Sequence, residues 1–225
     1  MDRALWMWSE AQGRILVEMR GQSGTMSVPA ISPDGRFVAA ADDDTPARPQ
    51  PDRAAPVYVW DAMKGERFTN PGGMAAFAVN HAWTIAAAGG TDGVVRLFDP
   101  GTGKPLGKIA TGTAASGGVG ALAFDATGRR LAGALADHTV RVWDVTDQKE
   151  IARHPAGGGA AAVAWMGADT LIAAAGNELI LIGMDGKART LGTASGGDFK
   201  YLSVARNGMQ VRAATSTGDA EIFSV

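Results

Sequence analysis

VGALAFDATGRRLAGALADHTVRVWDVTDQKEIARHP, residues 119–155, holds four short β-runs separated by three turns. The first run, 119–124, is apolar and ends at Asp125-Ala126-Thr127-Gly128, a stretch rich in residues that tolerate a turn. Arg130 to Leu135 forms the second run, Asp137-His138 turns the chain into the third, Thr139 to Trp143, and Lys149 to Arg153 follows a turn at Val145 to Gln148. Within the third run Val140 and Val142 fall on one face and Arg141 and Trp143 on the other, as a strand requires. Alanine and glycine crowd the first two runs, which is expected where several sheets converge and approach closely. We label the four runs a, b, c and d, from the innermost outward.

Working outward from this unit, the end of run c recurs along the chain. A short apolar run closes on Trp8-Ser9, Trp60-Asp61, Phe98-Asp99, Trp143-Asp144, Ile182-Gly183 and Phe223-Ser224, at steps of 52, 38, 45, 39 and 41 residues. A recurrence near 40 residues with several β-runs in each unit predicts an all-β fold, a β-propeller in which each repeat is one four-stranded antiparallel blade. The whole chain, residues 1–225, reads as a single domain of this kind. Its parts are a partial blade over 1–26, units over 27–70, 71–115, 116–155 and 156–194, and a partial blade over 195–225.

Composition narrows the function. The chain has 225 residues, 46% of them hydrophobic, enough to bury a substantial core as one all-β domain. Its formal net charge is −2, and lysine and arginine are scattered rather than gathered in a stripe, so nucleic acid is not expected as a partner. The absence of cysteine removes disulfides, thiolate nucleophiles and cysteine-ligated zinc, and it is compatible with a reducing cytoplasm, where we place the protein. The apolar stretch Ala4 to Trp8 is followed at once by Ser9 and Glu10, too short for a signal peptide or a membrane span. No membrane association is expected.

Three segments carry a family resemblance. SPDGRFVAAADDD from Ser32, TDGVVRLFD from Thr91 and ADHTVRVWD from Ala136 resemble the S-P-D-G and D-x-T-V-R-x-W-D segments of the WD-repeat (tryptophan-aspartate repeat) β-propellers. The likeness extends over essentially the whole chain. It implies that Trp60, Phe98 and Trp143 hold the aromatic position of strand c, and that Asp92 and Asp137, six residues ahead of Phe98 and Trp143, hold the acidic position of the b–c turn. In that family this Asp, the strand-c Trp, a strand-b Ser or Thr and a His from a Gly-His pair can join in one brace. Where Gly-His is expected this chain has Gly72-Gly73, Gly117-Gly118, Gly157-Gly158 and Gly196-Gly197, so the full brace cannot form. Cohesion between blades is then expected to rest more heavily on apolar packing.

The count of predicted strands leaves the ring open to two readings. Two strands at the N-terminus, four units of four, and three at the C-terminus make 21. A propeller normally joins its first and last segments in one blade. Here the last three strands could accept Ile15 to Met19 as strand d, which leaves Leu5 to Trp8 surplus and competing with Glu221 to Phe223. The chain is therefore either a small ring of about five blades with an extra edge segment, or part of a larger ring whose other blades are missing, on another chain, or supplied by a second copy. The family's preference for about seven blades favours the second reading by resemblance.

Among candidate sites, the insertion between strands b and c of the first full unit stands out. Asp42 to Pro56, DDDTPARPQPDRAAP, is Pro-rich and charged and cannot pair in a sheet. The resemblance puts it on the face of b–c and d–a loops, where partner peptides bind in that family. It reads either as a solvated insertion or as a recognition loop, with Asp42, Asp43, Asp44, Arg48 and Arg53 as its protein-binding residues. The three adjacent acids lack the glycine-containing twelve-residue calcium loop, so no metal is assigned to them. Trp83, beside an a–b turn, is a further candidate contact residue, and Trp6 on the surplus strand another. His81, His138 and His154 lie in separate units without a G-x-S-x-G or H-E-x-x-H context. Pro100 to Lys108, PGTGKPLGK, lacks the phosphate-loop spacing and reads as a hairpin turn.

Two functions remain. The first is a non-catalytic scaffold or sensing module that docks other proteins or peptides, with no cofactor and no catalytic residue; the Ala- and Gly-rich composition looks bacterial. The second is a propeller hydrolase or lactonase with a central-channel metal. The inner runs read Ala76-Phe77-Ala78, Gly120-Ala121-Leu122 and Ala162-Val163-Ala164, an apolar lining that favours the first.

Overall fold

The structure is a computed structural model; it describes residues 5–9, 11–19, 30–32, 35–41, 57–61, 66–70, 76–112, 118–205 and 208–225. Strands β1 (Leu5–Ser9) and β2 (Arg14–Met19) form a two-stranded hairpin. Four four-stranded antiparallel sheets follow. The first is β3 (Ala30–Ile31), β4 (Phe37–Ala41), β5 (Val57–Asp61) and β6 (Glu66–Asn70), and the second β7 (Ala76–Val79), β8 (Ala86–Gly89), β9 (Val94–Phe98) and β10 (Pro105–Ala110). The third is β11 (Val119–Phe124), β12 (Arg130–Leu135), β13 (Thr139–Asp144) and β14 (Lys149–Pro155), and the fourth β15 (Ala160–Trp165), β16 (Thr170–Ala175), β17 (Glu178–Gly183) and β18 (Ala188–Thr193). The last sheet has three strands, β19 (Phe199–Val204), β20 (Gln210–Thr215) and β21 (Ala220–Ser224). Among the described residues the number of strands, 21, matches the expectation. The pairing of the first hairpin does not: β2 pairs with β1, not with β21, so the end-to-end closure within one blade is absent among the described residues. The hairpin keeps β2 because cross-strand pairs from Leu5↔Met19 to Ser9↔Arg14 already use its inner edge.

Strands in one sheet lie in chain order, each antiparallel to the one before it, as hairpin connections require. The turns share one device. Ser32 accepts the amide of Phe37, Asn80 those of Thr84 and Ile85, and Asp125 that of Arg130, so a small polar side chain at the same place in three units caps the a–b hairpin.

Among the described residues the core consists of five apolar layers, one at each junction between successive sheets. Met7 of the hairpin packs on Val38, Ala40, Tyr58 and Trp60; Ala39 and Val59 then pack on Ala86, Ala88 and Phe98. Ala87, Val95 and Leu97 press on Leu131 and Trp143, and Val140 and Val142 press on Leu171 and Ile182. Leu179 and Leu181 press on Phe199 and Val211. The polarity is the same throughout. In strand c the residues one and three places before the closing position, such as Val95 and Leu97 or Val140 and Val142, face forward to the next sheet, and the aromatic or aliphatic residue that closes the run faces back. Trp60, Phe98 and Trp143 are each 1% exposed, and each fills the back face of its own sheet. Glycine makes room for one of these rings: a Cβ on Gly133 would stand 2.6 Å from Trp143 Cζ3. A strand-b Ser or Thr bonding the indole is thus replaced by bare backbone beneath it.

Strand a is small for the same reason. Its forward positions are Ala76 and Ala78, Ala121 and Ala123, and Ala162 and Ala164 in three successive sheets, and these inner strands are where β7, β11, β15 and β19 lie side by side.

Candidate functional site

Among the described residues the b–c turns lie on one face of the stack, and two of them are built alike. Asp92 precedes β9 and accepts the Val94 amide, while both of its oxygens receive Arg96, at 2.6 Å for the closest contact. Asp137 precedes β13 and accepts the Thr139 hydroxyl at 2.6 Å, the Thr139 amide and the Arg141 guanidinium. Arg96 and Arg141 each lie four residues after their acid, and strand alternation brings both guanidinium groups back over the turn. Each arginine thus ties its acid back to strand c, a pairing the sequence reading did not assign. The cue was the D-x-x-V-R spacing, visible in both segments.

The two pairs differ in burial. Arg96 and Asp92 have side chains 36% and 48% exposed, whereas those of Arg141 and Asp137 are 6% and 24% exposed. Arg141 also donates to the Thr111 carbonyl at 2.7 Å and to Glu150, so it ties the third full sheet to the end of the second. Hydrogen bonding from Arg96 outweighs burial and holds Asp92 below its ordinary range. Burial raises Asp137, but bonds from Thr139 and Arg141 more than offset it, leaving it lowered as well. Glu150 is lowered chiefly by Arg153, with Arg141 adding to the effect.

The opposite face carries the a–b and c–d turns. A hollow of about 600 Å³ opens there, lined by Asp125, Thr127, Arg129, Arg130, Asp144 and Asp147 among others. Its central cation is committed. Arg130 pairs with Asp125 at 3.0 Å and with Asp169 of the next sheet at 3.0 Å, donates to the Ala168 carbonyl, and lies 4.7 Å from the ring centre of Trp165. Trp165 in turn donates to the Ala123 carbonyl at 3.1 Å. Asp144 accepts the amides of Thr146 and Asp147, which uses it to shape its own turn. Asp125 is nearly fully buried; that burial raises it, yet the Arg130 amide and guanidinium and the Thr127 hydroxyl bring it below the usual carboxylate range.

The remaining sequence candidates fall as follows. Asp42, Asp43, Asp44, Arg48 and Arg53 lie outside the described residues. Trp83 is half-buried on the a–b side, with a positive φ of 55° and its ring stacked on Phe37 at 5.8 Å and 14°. One of its faces is therefore taken by the preceding sheet. The corresponding pair two sheets further on is Arg130 and Trp165, since Phe37 and Arg130 hold the same place after their turns. Trp6 is 49% exposed. His81 and His138 are exposed and His154 is half-buried, each in a different unit. Among the described residues no three His, Asp or Glu side chains converge in a way that could hold a metal ion.

Comparison with known proteins bears on the fold. Residues 103–144 match the model of the family "WD domain, G-beta repeat". The solved structures similar to this chain include the structure of U3-55K and the crystal structure of the RRP9 WD40 repeats. Each has 14% sequence identity and a TM-score of 0.78 over 92% of this chain. The chain spans 63% and 62% of the length of those two chains, less than two thirds. No curated protein matches it in sequence. The segment from β10 to β13 is thus similar to a WD repeat, and the fold is that of the WD-repeat β-propellers.

Proposed function

We propose that this propeller is a non-catalytic interaction module: a rigid stack of blades whose loop faces dock other proteins or peptides. The observation that carries the reading is how the polar side chains of the turns are spent. Asp92, Asp125, Asp137 and Asp144 each hold amides of their own turn, and the first three are also paired with an arginine of their own sheet. Groups committed in this way fix the shape of a surface. Asp125 and Asp144 share one hollow, but each is spent on its own turn, which leaves no uncommitted acid and base pair of the kind catalysis requires among these four. Shape held by stiff turns on buried sheets is what a recognition surface needs, because little ordering entropy is then lost on binding.

Within this reading the insertion Asp42 to Pro56 is the recognition loop, and Asp42, Asp43, Asp44, Arg48 and Arg53 supply its contacts. Its four prolines limit the conformations an unbound loop can visit. The test is purification of the tagged chain from its own host beside a variant lacking residues 44–54, with co-purifying proteins identified and weighed. A stoichiometric partner kept by the wild type and lost by the variant, with equal thermal unfolding of the two, is the expected result. Equal partner content in both would remove the loop from the account. Turnover of an ester or lactone abolished by a chelator would replace the proposed function altogether.

A further inference from the structure

The junctions between sheets all run forward face on back face, and two faces of this kind have no neighbouring sheet among the described residues: the back of the β1–β2 hairpin and the front of the β19–β21 sheet. Large exposed apolar side chains gather on both. Trp8 is 59% exposed, although Trp60 and Trp143 at the same strand-c position are 1% exposed. Trp6 and Ile15 share the hairpin face with it, since Trp6 pairs with Glu18 and Trp8 with Ile15. At the other end Tyr201 and Ile222 are each 65% exposed. Ile222 occupies the forward strand-c position held by Leu97, Val142 and Leu181, which are 2%, 2% and 5% exposed.

The two faces are not copies of the interior ones. Where strand a presents alanine pairs to the next sheet, β19 presents Tyr201 and Ser203. Where strand b presents Ala132 or Ile172, β20 presents Arg212, paired across the strands with Ser203 and Ile222. A tyrosine and an arginine do not fit the close, small-residue contact used inside the stack. They do fit an aromatic surface, since a guanidinium binds the face of an indole. The hairpin back offers that surface in Trp6 and Trp8. Tyr, Trp and Arg are also the side chains that most often anchor protein interfaces.

We propose that the front of the β19–β21 sheet docks the back of the β1–β2 hairpin of a second copy of this chain, head to tail, continuing between molecules the polarity of the five junctions within one. The contact is heterologous, so it leaves a free face at each end of any open assembly and generates closed rings or filaments. β21, whose outer edge pairs with no strand among the described residues, lies alongside the contact and adds backbone donors and acceptors to it. This surface is separate from the b–c loop face, and the association stands or falls independently of what that face binds.

The experiment is sedimentation velocity of the full chain over a hundredfold range of concentration, with two double variants. One carries Trp6→Ser and Trp8→Ser, the other Tyr201→Ser and Ile222→Asp; all four positions are exposed, and circular dichroism checks that both variants fold. A third variant, Arg212→Glu, serves if either double variant is unfolded. The wild type is expected to shift from monomer to larger species as concentration rises. Each double variant alone is expected to stay monomeric, and an equimolar mixture of the two to form a 1:1 dimer, because each retains the face that the other has lost. A wild type that remains monomeric throughout overturns the proposal. So does a double variant that associates as the wild type does, or a mixture that shows no dimer.

Discussion

The β11–β14 blade and the β19–β21 sheet are built on the same pattern and live in different surroundings. In the first, β12 and β13 are buried on both faces: Leu131 and Trp143 meet the sheet before, and Ala132, Val140 and Val142 the sheet after. In the second, β20 alternates buried and exposed, with Val211, Ala213 and Thr215 inward and Gln210 and Arg212 outward. The difference teaches that a blade here is not stable by its own hydrogen-bond ladder. Its apolar residues are paid for by neighbours, and a sheet with one neighbour reads like a half-solvated antiparallel sheet, in sequence as in structure.

The comparison breaks most visibly at the strand-c position. Trp143→Ala removes a ring seated between Gly133 and the second sheet and is expected to cost about 3–5 kcal/mol. Ile222→Ala on the open face is expected to change stability by less than about 0.5 kcal/mol. Urea unfolding of the two variants beside the wild type gives both numbers; equal losses would mean that the last sheet is covered after all.

A smaller contrast separates the two Asp–Arg pairs. Arg141→Ala leaves Asp137, Glu150 and the Thr111 carbonyl without their shared donor in a nearly closed site, and roughly 3 kcal/mol of destabilisation is expected. Arg96→Ala breaks a pair that water already reaches, for under about 1 kcal/mol. Chemical denaturation again decides, and a reversed order would show that the link from Arg141 to the second sheet contributes little. Arg130→Ala strips the buried Asp125 of its partner and Trp165 of its cation; about 1–3 kcal/mol is expected to be lost. Arg130→Lys should recover only part, since lysine cannot reach Asp125 and Asp169 together in a planar fork.

The pH dependence is the smallest effect and its sign is fixed by the same pairs. Asp125, Asp137 and Glu150 sit lower in the folded chain than in the unfolded one, so the unfolded state binds protons first as pH falls. Their contribution is complete near neutrality and is lost progressively below about pH 4. Thermal melting between pH 7 and pH 3 should show a plateau followed by a fall, and the fall should be shallower in Arg141→Ala. An identical slope in the variant would detach Asp137 and Glu150 from the acid response.

Much of this was legible in the sequence, for reasons that can be placed on particular residues. The bounds of β11 and β12 emerge from apolar runs framed by Asp125 to Gly128 and by Asp137-His138, where local turn chemistry and the alternation agree. The recurrence of Trp60, Phe98 and Trp143 was visible as a period, and the family resemblance put them at the aromatic position of strand c. What stayed hidden depends on contacts between units. Arg141 meets Thr111 and Arg130 meets Asp169, partners 30 and 39 residues away, and no local pattern marks such meetings. Trp83 read as a free contact residue because its stacking partner, Phe37, lies in the sheet before. The choice of partner for β2 was equally out of reach, since its residues suit an edge strand in either arrangement.

The central claim is that interior sheets draw their stability from both neighbours while β1 and β21 each face open surface. Residue-resolved hydrogen exchange, at a concentration where the chain is monomeric, tests it most directly. The account predicts the slowest exchange in β12, β13, β16 and β17, and exchange faster by orders of magnitude in β1 and β21. Protection of β1 and β21 equal to that of β13 would contradict it, and would mean that the ends are joined within a single closed ring.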